Sequence, residues 1–325
     1  MKHVFLINPA AGKRDRSQEF YERFTAFAQA RGLDYEIAVS QAPGDCRDLA
    51  RRAAAEGAPL RLYACGGDGT LNEVVNGAVG FPNAAVTHFP GGSGNDFIKV
   101  FHNSAPFADL EQLLDPAEAE FDLISCNGDY ALNVCSLGFD ARIGTEMAAY
   151  KRLPLVSGSG AYALSALVNT IKGVHEPYTV ELNGQTIAGE QTMIFVGNGR
   201  WYGGGFQPVP EADPADGLFD VLLVRGVSRL TVLRVIGPYK NGGYHNFPQF
   251  IRHFRTRSLT IRCARENAIN LDGELRRAQT VQISLAPEKL RFFYPRTLSC
   301  APIPRKFEQK EGIGREREKV CAHMD

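Results

Sequence analysis

The sequence predicts two domains, a parallel α/β domain followed by a mainly antiparallel β domain. Its 325 residues exceed the size of one average domain. Apolar runs alternate with helical segments up to about residue 120, an order that is typical of a doubly wound parallel sheet. Beyond that point short apolar runs follow one another closely. Turn signals such as Asn127-Gly128 and Asn183-Gly184 separate them, which indicates an antiparallel sandwich or barrel.

We assign residues 1–122 to a nucleotide-binding α/β domain and residues 123–289 to the β domain, and we expect the segment of about 290–325 to complete the first. In the first domain each predicted strand is an apolar run, and phenylalanines recur at the spacing of a buried helix face. The predicted strands are residues 3–7, 35–39, 60–65 and 85–89, and the predicted helices are residues 17–30, 46–55 and 71–79.

In the β domain, helices are predicted over residues 161–172 and 228–236. From about residue 302 the chain is charged and poor in large apolar residues, which predicts a mobile tail or a short helix. The predicted strands after residue 120 are residues 121–126, 130–137, 178–182, 192–197, 218–224, 259–263, 268–271, 281–285 and 290–294.

Composition excludes several classes of protein. The 36 basic and 36 acidic side chains cancel, so the net charge identifies no partner. The seven cysteines include no Cys-x-x-Cys pair, which argues against a disulfide framework and a zinc site and favours a reducing cytosol. No apolar run approaches the roughly 18 residues that cross a bilayer. A protein of this sequence that acts on lipids is therefore expected to reach them from the water side.

The stretch Gly66-Gly67-Asp68-Gly69-Thr70 follows a predicted strand and precedes a predicted helix. Glycines in such a turn let a ligand approach the backbone, and the N–H groups of a helix start favour an anion such as phosphate. The Asp68 carboxylate repels phosphate unless a cation lies between them, so we expect phosphate chemistry with a metal. Taken alone, the stretch is only a tight turn.

A second glycine turn, Pro90-Gly91-Gly92-Ser93-Gly94, follows the next predicted strand. The alternative interpretation of this turn, without a ligand, is a flexible loop in which Asn95 or Asp96 caps the following helix. Neighbouring parallel strands end at the same edge of a sheet, so residues 8–13, 66–70 and 90–96 should converge on one crevice. No Walker-type Gly-x-x-x-x-Gly-Lys-Ser/Thr motif competes with these turns.

Two acidic turns offer further chemistry. Asp216, within Asp213-Pro214-Ala215-Asp216-Gly217-Leu218, is either the corner of a turn or a hard oxygen ligand of Mg²⁺. Asp272, within Leu271-Asp272-Gly273-Glu274, is either part of a solvated hairpin or a general base that accepts a hydroxyl proton during phosphoryl transfer. The residues alone leave both alternatives open.

In this order the motifs resemble the diacylglycerol kinase catalytic-domain family, which includes bacterial lipid kinases and the sphingosine and ceramide kinases. The resemblance extends from about residue 3 to residue 295. It implies an N-terminal domain similar to those of NAD kinases and phosphofructokinases, a C-terminal β-sandwich, and ATP bound between them. The motifs are Asn8-Pro9-x-x-Gly12, Gly66-Gly67-Asp68-Gly69-Thr70-x-Asn72-Glu73, Pro90-Gly91-Gly92-Ser93-Gly94-Asn95-Asp96-Phe97, Gly203-Gly204-Gly205, Asp216-Gly217-Leu218 and Asp272-Gly273-Glu274.

The resemblance also implies roles for individual residues. Asp272 would deprotonate the lipid hydroxyl, and Asp216, with backbone oxygens of Asp213 and Leu218, would bind Mg²⁺. The acids that a second metal and water would link to these groups are Asp68, Asp96 and Asp122. The residues implied in ATP binding are Asn8, Pro9, Gly12, Ser40, Gly66, Gly67, Asp68, Gly69, Thr70, Asn72, Ser93 and Glu274.

The region from residue 225 to residue 277 has 11 basic and three acidic residues. It is either an ordinary solvated surface or, because aromatic residues are mixed with the basic ones, a surface that docks on an anionic membrane. No recognition motif for nucleic acid accompanies it, so we expect no nucleic-acid partner. Homo-oligomerisation is left open.

We therefore predict a cytoplasmic enzyme, peripherally associated with the inner face of the membrane, that transfers the γ-phosphoryl group of ATP to a lipid hydroxyl. Diacylglycerol is the first candidate acceptor, with phosphatidic acid as the product. The alternatives are another lipid such as a sphingoid base or phosphatidylglycerol, a soluble acceptor such as NAD, and a non-catalytic, nucleotide-dependent lipid-binding protein. Against NAD, residues 158–162 are only loosely similar to a Gly-Ser-Thr-Ala-Tyr segment.

Overall fold

A computed structural model describes residues 1–139, 141–142 and 175–300. The predicted helix over residues 161–172, the segment 158–162 and the charged segment from residue 302 lie outside these ranges. Within them, two sheets follow each other along the chain, one parallel except at an edge and one antiparallel. The predicted fold class, an α/β domain and an antiparallel β domain, is therefore confirmed.

Six strands form the first sheet, and only the strand at one edge runs antiparallel to its neighbour. The central strands are buried along almost their whole length, as expected of strands covered on both faces. The first five strands are β1 (Lys2–Ile7), β2 (Tyr35–Val39), β3 (Leu60–Gly66), β4 (Ala84–Pro90) and β5 (Ala117–Phe121). A later strand, Leu290–Tyr294, lies between β4 and β5, so the spatial order is β2, β1, β3, β4, Leu290–Tyr294, β5.

Helices connect the parallel strands and cover the sheet. The phenylalanines of the first helix are core residues, as their spacing predicts: Phe24 is buried and stacks on Phe5 with ring centroids 4.7 Å apart. The α-helices are α1 (Ser17–Arg31), α2 (Asp45–Ala55) and α3 (Asp68–Ala78). Three short 3₁₀ helices occupy the path from β4 to β5, namely Phe97–Phe101, Ala105–Ala108 and Glu111–Leu113.

All strand pairs in the second sheet are antiparallel. Two long strands, the fifth and the eighth of this sheet, hold it together because two shorter strands pair with both of them. In chain order the strands are β6 (Ile124–Cys126), β7 (Asp129–Ala131), β8 (Val134–Gly138), β9 (Glu176–Leu182), β10 (Gln185–Gly197), β11 (Phe219–Arg225), β12 (Ile251–Thr256), β13 (Ser258–Leu271) and β14 (Glu274–Leu285). The strand Leu290–Tyr294 is then β15.

The predicted strand over residues 121–126 is wrong, because the chain changes sheets there. Phe121 ends β5 in the first sheet and Ile124 begins β6 in the second. Between them Asp122 is buried, its N–H donates to Pro214 O at 2.7 Å, and its carboxylate pairs with Lys289 Nζ at 2.9 Å. Because the apolar pattern continues through these residues, it does not show where the chain passes from one domain to the other.

Other strand boundaries also differ from prediction. The predicted strand over residues 130–137 is two strands, because the backbone N–H groups at residues 132–134 donate to a side chain instead of to a neighbouring strand. The two strands predicted at 259–263 and 268–271 form one strand, β13, with a register shift between Arg262 and Asn267. The sequence analysis missed β12, where basic side chains interrupt the apolar pattern.

One α-helix, α4 (Arg229–Lys240), follows β11 and covers part of the second sheet. Ser228 caps it, since its side chain accepts a hydrogen bond from the Thr231 N–H at 3.3 Å. Val235 and Tyr239 are buried on its inner side. Within the described ranges, none of the helices combines the length and the apolar run that a bilayer span requires.

Candidate active site

Three turns meet at the carboxyl ends of β1, β3 and β4. The side-chain amide of Asn8 donates a hydrogen bond to Thr70 Oγ1 at 3.0 Å. The N–H groups of Gly91 and Gly92 donate to the Gly66 carbonyl at 2.7 and 3.1 Å. The predicted convergence of the turns on one crevice is therefore confirmed.

Two glycines allow these turns to approach each other closely. Gly12 has φ +84°, and a Cβ atom there would lie 2.7 Å from the Gly91 carbonyl oxygen. A Cβ atom on Gly66 would overlap the side chain of Thr70. Both contacts are tighter than a side chain tolerates, so the backbone of the crevice depends on glycine at these positions.

His88 fixes the first glycine turn against the second. It is fully buried on β4, and its Nε2 lies 2.9 Å from the Gly66 carbonyl oxygen, so Nε2 carries the proton and donates. Burial lowers the pKa of this imidazole, which favours the neutral ring. The motifs in the sequence do not identify His88 as a site residue. The feature that could have identified it is a histidine inside a mostly apolar strand, two residues before Pro90.

Asp68 begins α3 and faces Asp96 across the crevice. One oxygen of Asp68 accepts a hydrogen bond from the Asp96 N–H. The Asp96 carboxylate accepts from Lys99 Nζ at 2.5 Å and from the Gly204 N–H at 2.8 Å, so it does not cap the next helix. Burial, and then the charge of Asp96, raise the pKa of Asp68. The glycine-rich segment around Gly204 thus joins the same crevice.

The electrostatics of Asp68 suit a bound cation. Lysine or arginine side chains pair with three other acids, Asp96, Asp122 and Asp216. For Asp68, no lysine or arginine in the described part of the chain lies within ion-pair distance. A buried carboxylate whose charge is disfavoured by a second acid is stabilised by a divalent cation with oxygen ligands. Of these four acids, Asp68 is the one whose charge no lysine or arginine of the described residues offsets, so it could hold a divalent cation; the described residues form no cluster of three or more metal-ligand side chains there.

The turn predicted to bind Mg²⁺ has a different set of contacts. The Asp216 carboxylate pairs with the Arg255 guanidinium and accepts the Leu218 N–H at 3.1 Å, and the Asp213 carbonyl accepts the Asp216 N–H at 3.4 Å. Burial raises the pKa of Asp216, and Arg255 opposes that shift. The oxygen donors are of the type that Mg²⁺ prefers, but Arg255 already offsets the carboxylate charge. A metal site formed by Asp213, Asp216 and Leu218 stays a prediction.

Asp272 lies in the tight turn between β13 and β14, with φ +51°. Its carboxylate accepts hydrogen bonds from the N–H groups of Leu132 and Val134, each at 2.7 Å, and from that of Asn133 at 3.1 Å. These bonds lower its pKa, but burial outweighs them and raises it to about 6. The prediction that Asp272 is only part of a solvated hairpin does not explain why three backbone N–H groups donate to its carboxylate.

Asn72 connects this carboxylate to the phosphate turn. It lies on α3, one turn after Asp68, and its Nδ2 is 3.4 Å from Asp272 Oδ2. The same Nδ2 donates to Tyr130 O at 3.1 Å, and Asn76 Nδ2 donates to that carbonyl at 2.8 Å. Helix α3 thereby holds the glycine turn of one domain beside Asp272 of the other.

The remaining predicted residues lie at different places around the crevice. Pro9 follows Asn8 in the first turn, and Ser93 is exposed at the second glycine turn. Ser40 is buried beside β1, and its N–H donates to Ile7 O at 2.9 Å. Glu274 Oε1 lies 3.7 Å from the position that a Cβ atom on Gly69 would occupy. Among the predicted nucleotide-binding and catalytic residues, side-chain hydrogen bonds join Asn8 to Thr70 and Asn72 to Asp272.

The pKa of about 6 at Asp272 predicts a pH dependence. If Asp272 must be deprotonated to accept a proton, kcat/KM for the acceptor should rise as the pH increases to about 6 and then level off. Initial rates at saturating nucleotide, measured from pH 5 to pH 8, would check this. The control is the same profile measured with Asp272→Asn, which should not show the rise in kcat/KM below about pH 6. A wild-type rate that falls between pH 5 and pH 7 would contradict the assignment.

Comparison with family models divides the chain as the fold does. Residues 2–126 match the model described as the diacylglycerol kinase catalytic domain. Residues 133–294 match the model described as the YegS C-terminal NAD kinase beta sandwich-like domain. The second match supports the sandwich alternative for the antiparallel domain.

Similar proteins carry related names. The chain is 30% identical over 290 residues to a protein of Pseudomonas aeruginosa (strain UCBPP-PA14) named "Probable lipid kinase YegS-like", covering 87% of this chain and 92% of that one. It is 27% identical to a Staphylococcus carnosus protein named "Putative lipid kinase", covering 80% and 86% of the two chains. The crystal structure of a "putative diacylglycerol kinase" from Bacillus anthracis matches the fold with a TM-score of 0.72, at 22% identity over 92% of this chain and 98% of that one.

Proposed function

The chain belongs to the diacylglycerol kinase catalytic-domain family of ATP-dependent lipid kinases, and we propose that it transfers the γ-phosphoryl group of ATP to the free hydroxyl of diacylglycerol. The product would be phosphatidic acid. The observation that carries this proposal is the position of Asp272, which Asn72 links to the phosphate turn at 3.4 Å. A proton acceptor and a phosphate cradle on opposite sides of one crevice are what transfer to a hydroxyl requires.

The nucleotide would bind in the three converging turns. Backbone N–H groups in the glycine turns and at the start of α3 suit the phosphates, because they are donors and carry the positive end of the helix dipole. Asp68 would hold a divalent cation, which offsets the negative charge of the phosphates when it is bound. Mg²⁺ is the proposed ion, since it prefers oxygen ligands and accompanies phosphoryl transfer.

Asp272 would act on the acceptor. The lipid hydroxyl gives its proton to the Asp272 carboxylate as its oxygen forms a bond to the γ-phosphorus, and the bond between that phosphorus and the bridging oxygen of ADP breaks. The N–H groups of residues 132–134 hold the carboxylate in place. With a pKa of about 6, the carboxylate is deprotonated at neutral pH and still basic enough to accept the proton.

An apolar cavity between α4 and the second sheet supports a lipid acceptor. It is a small cavity that is open to solvent at its mouth. Its lining is mainly apolar and includes Phe139, Met193, Val235 and Ile251. Strand β8 begins at Val134, whose N–H donates to Asp272, and Phe139 follows the last residue of the strand. At 3.3 Å per residue, roughly 17 Å separates Val134 from Phe139 in the cavity lining. An acyl chain in the cavity would leave the headgroup hydroxyl free to reach Asp272.

Filling the cavity should reduce the use of long acyl chains. Replacing Val235 by phenylalanine places a larger side chain on its inner wall, because Val235 is buried and lines the cavity. We expect KM for a long-chain diacylglycerol to rise about tenfold, because losing the contacts of one methylene group in an apolar pocket has at least an effect of that size. KM for ATP should not change. Rates with long-chain and short-chain acceptors, compared within each enzyme, measure the effect. An equal loss on both acceptors would indicate general disruption instead.

Three alternatives, another lipid acceptor, a soluble acceptor and a non-catalytic protein, are outcomes of an acceptor test. Purified protein with ATP and Mg²⁺ would be offered diacylglycerol, a sphingoid base, phosphatidylglycerol and NAD⁺ in parallel. Phosphorylation of diacylglycerol in preference to the others supports the proposal. Transfer to NAD⁺ alone would make the protein a soluble-acceptor kinase. Vesicle binding without transfer to any acceptor would favour the non-catalytic lipid-binding protein.

A further inference from the structure

Helix α4 has apolar residues on its outer side as well as on the side that covers the cavity. The outer residues are Leu230, Leu233 and Ile236, whose side chains are 79%, 68% and 39% exposed. Their spacing of three residues places them along one side of the helix, away from the buried Val235 and Tyr239. A surface helix in a soluble domain ordinarily has polar residues on its outer face, so this helix departs from the usual pattern.

Basic residues flank the exposed leucines. At 100° per residue, Arg229, Arg234 and Lys240 fall on the same side of α4 as Leu230 and Leu233, and all three are exposed. The surrounding chain carries the same charge, because residues 221–265 contain nine lysines and arginines and no aspartate or glutamate. A helix face that mixes leucine with arginine and lies in a basic region matches an anionic interface.

We propose that the outer face of α4, formed by Leu230, Leu233 and the flanking Arg229 and Arg234, docks on the surface of an anionic phospholipid bilayer. The leucines would enter the boundary between headgroups and acyl chains, and the arginines would contact lipid phosphates. This inference rests on the proposed function, because the docked face would then deliver the acceptor. Ile236 belongs both to the outer face and to the cavity lining, so a lipid drawn from the docked surface meets the cavity at the same helix.

Charge complementarity selects the bilayer over other occupants. A second copy of this chain would bring like charges together, since the face and the region around it are basic. An acidic protein partner would match the basic charge and the leucines, but it would make no use of the apolar cavity beneath the same helix, which suits a lipid. An anionic lipid surface meets all three features with one chemistry.

The test uses the full chain and two pairs of substitutions on α4, Leu230→Ser with Leu233→Ser and Arg229→Gln with Arg234→Gln. The matched controls are Tyr21→Ser, an exposed apolar residue on α1, and Arg51→Gln with Arg52→Gln, exposed on α2. Co-sedimentation with vesicles of phosphatidylglycerol and phosphatidylcholine measures binding. We expect each α4 pair to lower partitioning by about tenfold and the controls to stay within about twofold. Thermal unfolding of every variant verifies folding.

Several results would overturn the docking proposal. They are unchanged vesicle binding by both α4 pairs, equal binding of wild type to pure phosphatidylcholine vesicles, and a change from dimer to monomer in the leucine variant with vesicle binding intact. A short-chain diacylglycerol below its aggregation limit separates docking from catalysis. The α4 pairs should phosphorylate it at the wild-type rate. Wild type that binds vesicles through α4 but phosphorylates no acceptor would refute the proposed function and leave the docking face standing.

Discussion

Replacing Asp272 by asparagine is expected to lower kcat by about 10²–10⁴-fold, the usual contribution of a general base. The amide cannot accept the hydroxyl proton, although it has nearly the same size and shape as the carboxylate. Asparagine also tolerates the left-handed backbone that Asp272 adopts at φ +51°. Its amide nitrogen would face backbone N–H donors that the carboxylate now satisfies, so we expect a loss of stability with the fold retained. Initial rates at saturating ATP and acceptor give kcat, and circular dichroism verifies the fold.

Glu274→Gln is the matched control for Asp272. It removes a carboxylate two residues away in the same turn, on the side of Gly69. We expect it to raise KM for ATP and to change kcat far less than Asp272→Asn does. If Asp272→Asn kept near-wild-type kcat while Glu274→Gln lost it, Glu274 would be the proton acceptor and the assignment of Asp272 would be wrong.

Replacing Asp68 by asparagine should lower kcat/KM for ATP by about 10²–10³-fold, the scale on which preorganised electrostatic groups contribute. The amide oxygen can still accept the Asp96 N–H, so the variant removes charge and keeps the hydrogen bond. Without the carboxylate, a cation bound there as proposed would lose its charged ligand. Titration of activity with Mg²⁺ should show half-saturation at a higher metal concentration than in wild type.

Asp216→Asn distinguishes the two candidate metal positions. In the structure Asp216 pairs with Arg255, so we expect its replacement to leave the Mg²⁺ titration close to that of wild type and to act on stability instead. If Asp216→Asn shifted the Mg²⁺ requirement and Asp68→Asn did not, the cation would belong to the turn at residues 213–218. The predicted site formed by Asp213, Asp216 and Leu218 would then be correct.

The glycine turns could be predicted from sequence because their requirements are local. A buried strand, a run of glycines and a helix start specify a phosphate-type turn without knowledge of the rest of the fold. Parallel neighbours then bring the ends of β1, β3 and β4 to one edge, which is why Asn8 and Thr70 meet across 62 positions of sequence. The ranges of β1, β2, β3 and β4 agree with prediction within one residue, whereas β5 was not predicted.

The parts that could not be predicted depend on tertiary contacts. Phe121 and Ile124 belong to different sheets although both lie in one predicted strand, since the apolar pattern alone does not show where the chain leaves a sheet. The donors at residues 132–134 are backbone groups, so no side-chain motif points to their contact with Asp272. The cavity beneath α4 depends on how Val235 packs against the sheet, which periodicity does not give.

The basic region shows how structure narrows a prediction. The sequence shows an excess of basic residues over 225–277 but does not show which of them share one face of the protein. In the structure Arg255 pairs with Asp216 and Arg276 with Asp129, so part of the excess is used within the protein. On α4, Arg229 and Arg234 lie beside the exposed side chains of Leu230 and Leu233, which places positive charge next to apolar surface on one helix.

The most direct test of the central claim is phosphoryl transfer to a mixed lipid substrate. Purified wild-type protein and Asp272→Asn would each be incubated with ATP labelled at the γ-phosphate, Mg²⁺ and a total lipid extract, and the organic phase would be separated and its labelled product identified. The proposed function predicts one labelled lipid, phosphatidic acid, with wild type and almost none with the variant. Label that stays entirely in the aqueous phase with wild type, or an equal lipid product from both proteins, would contradict the account.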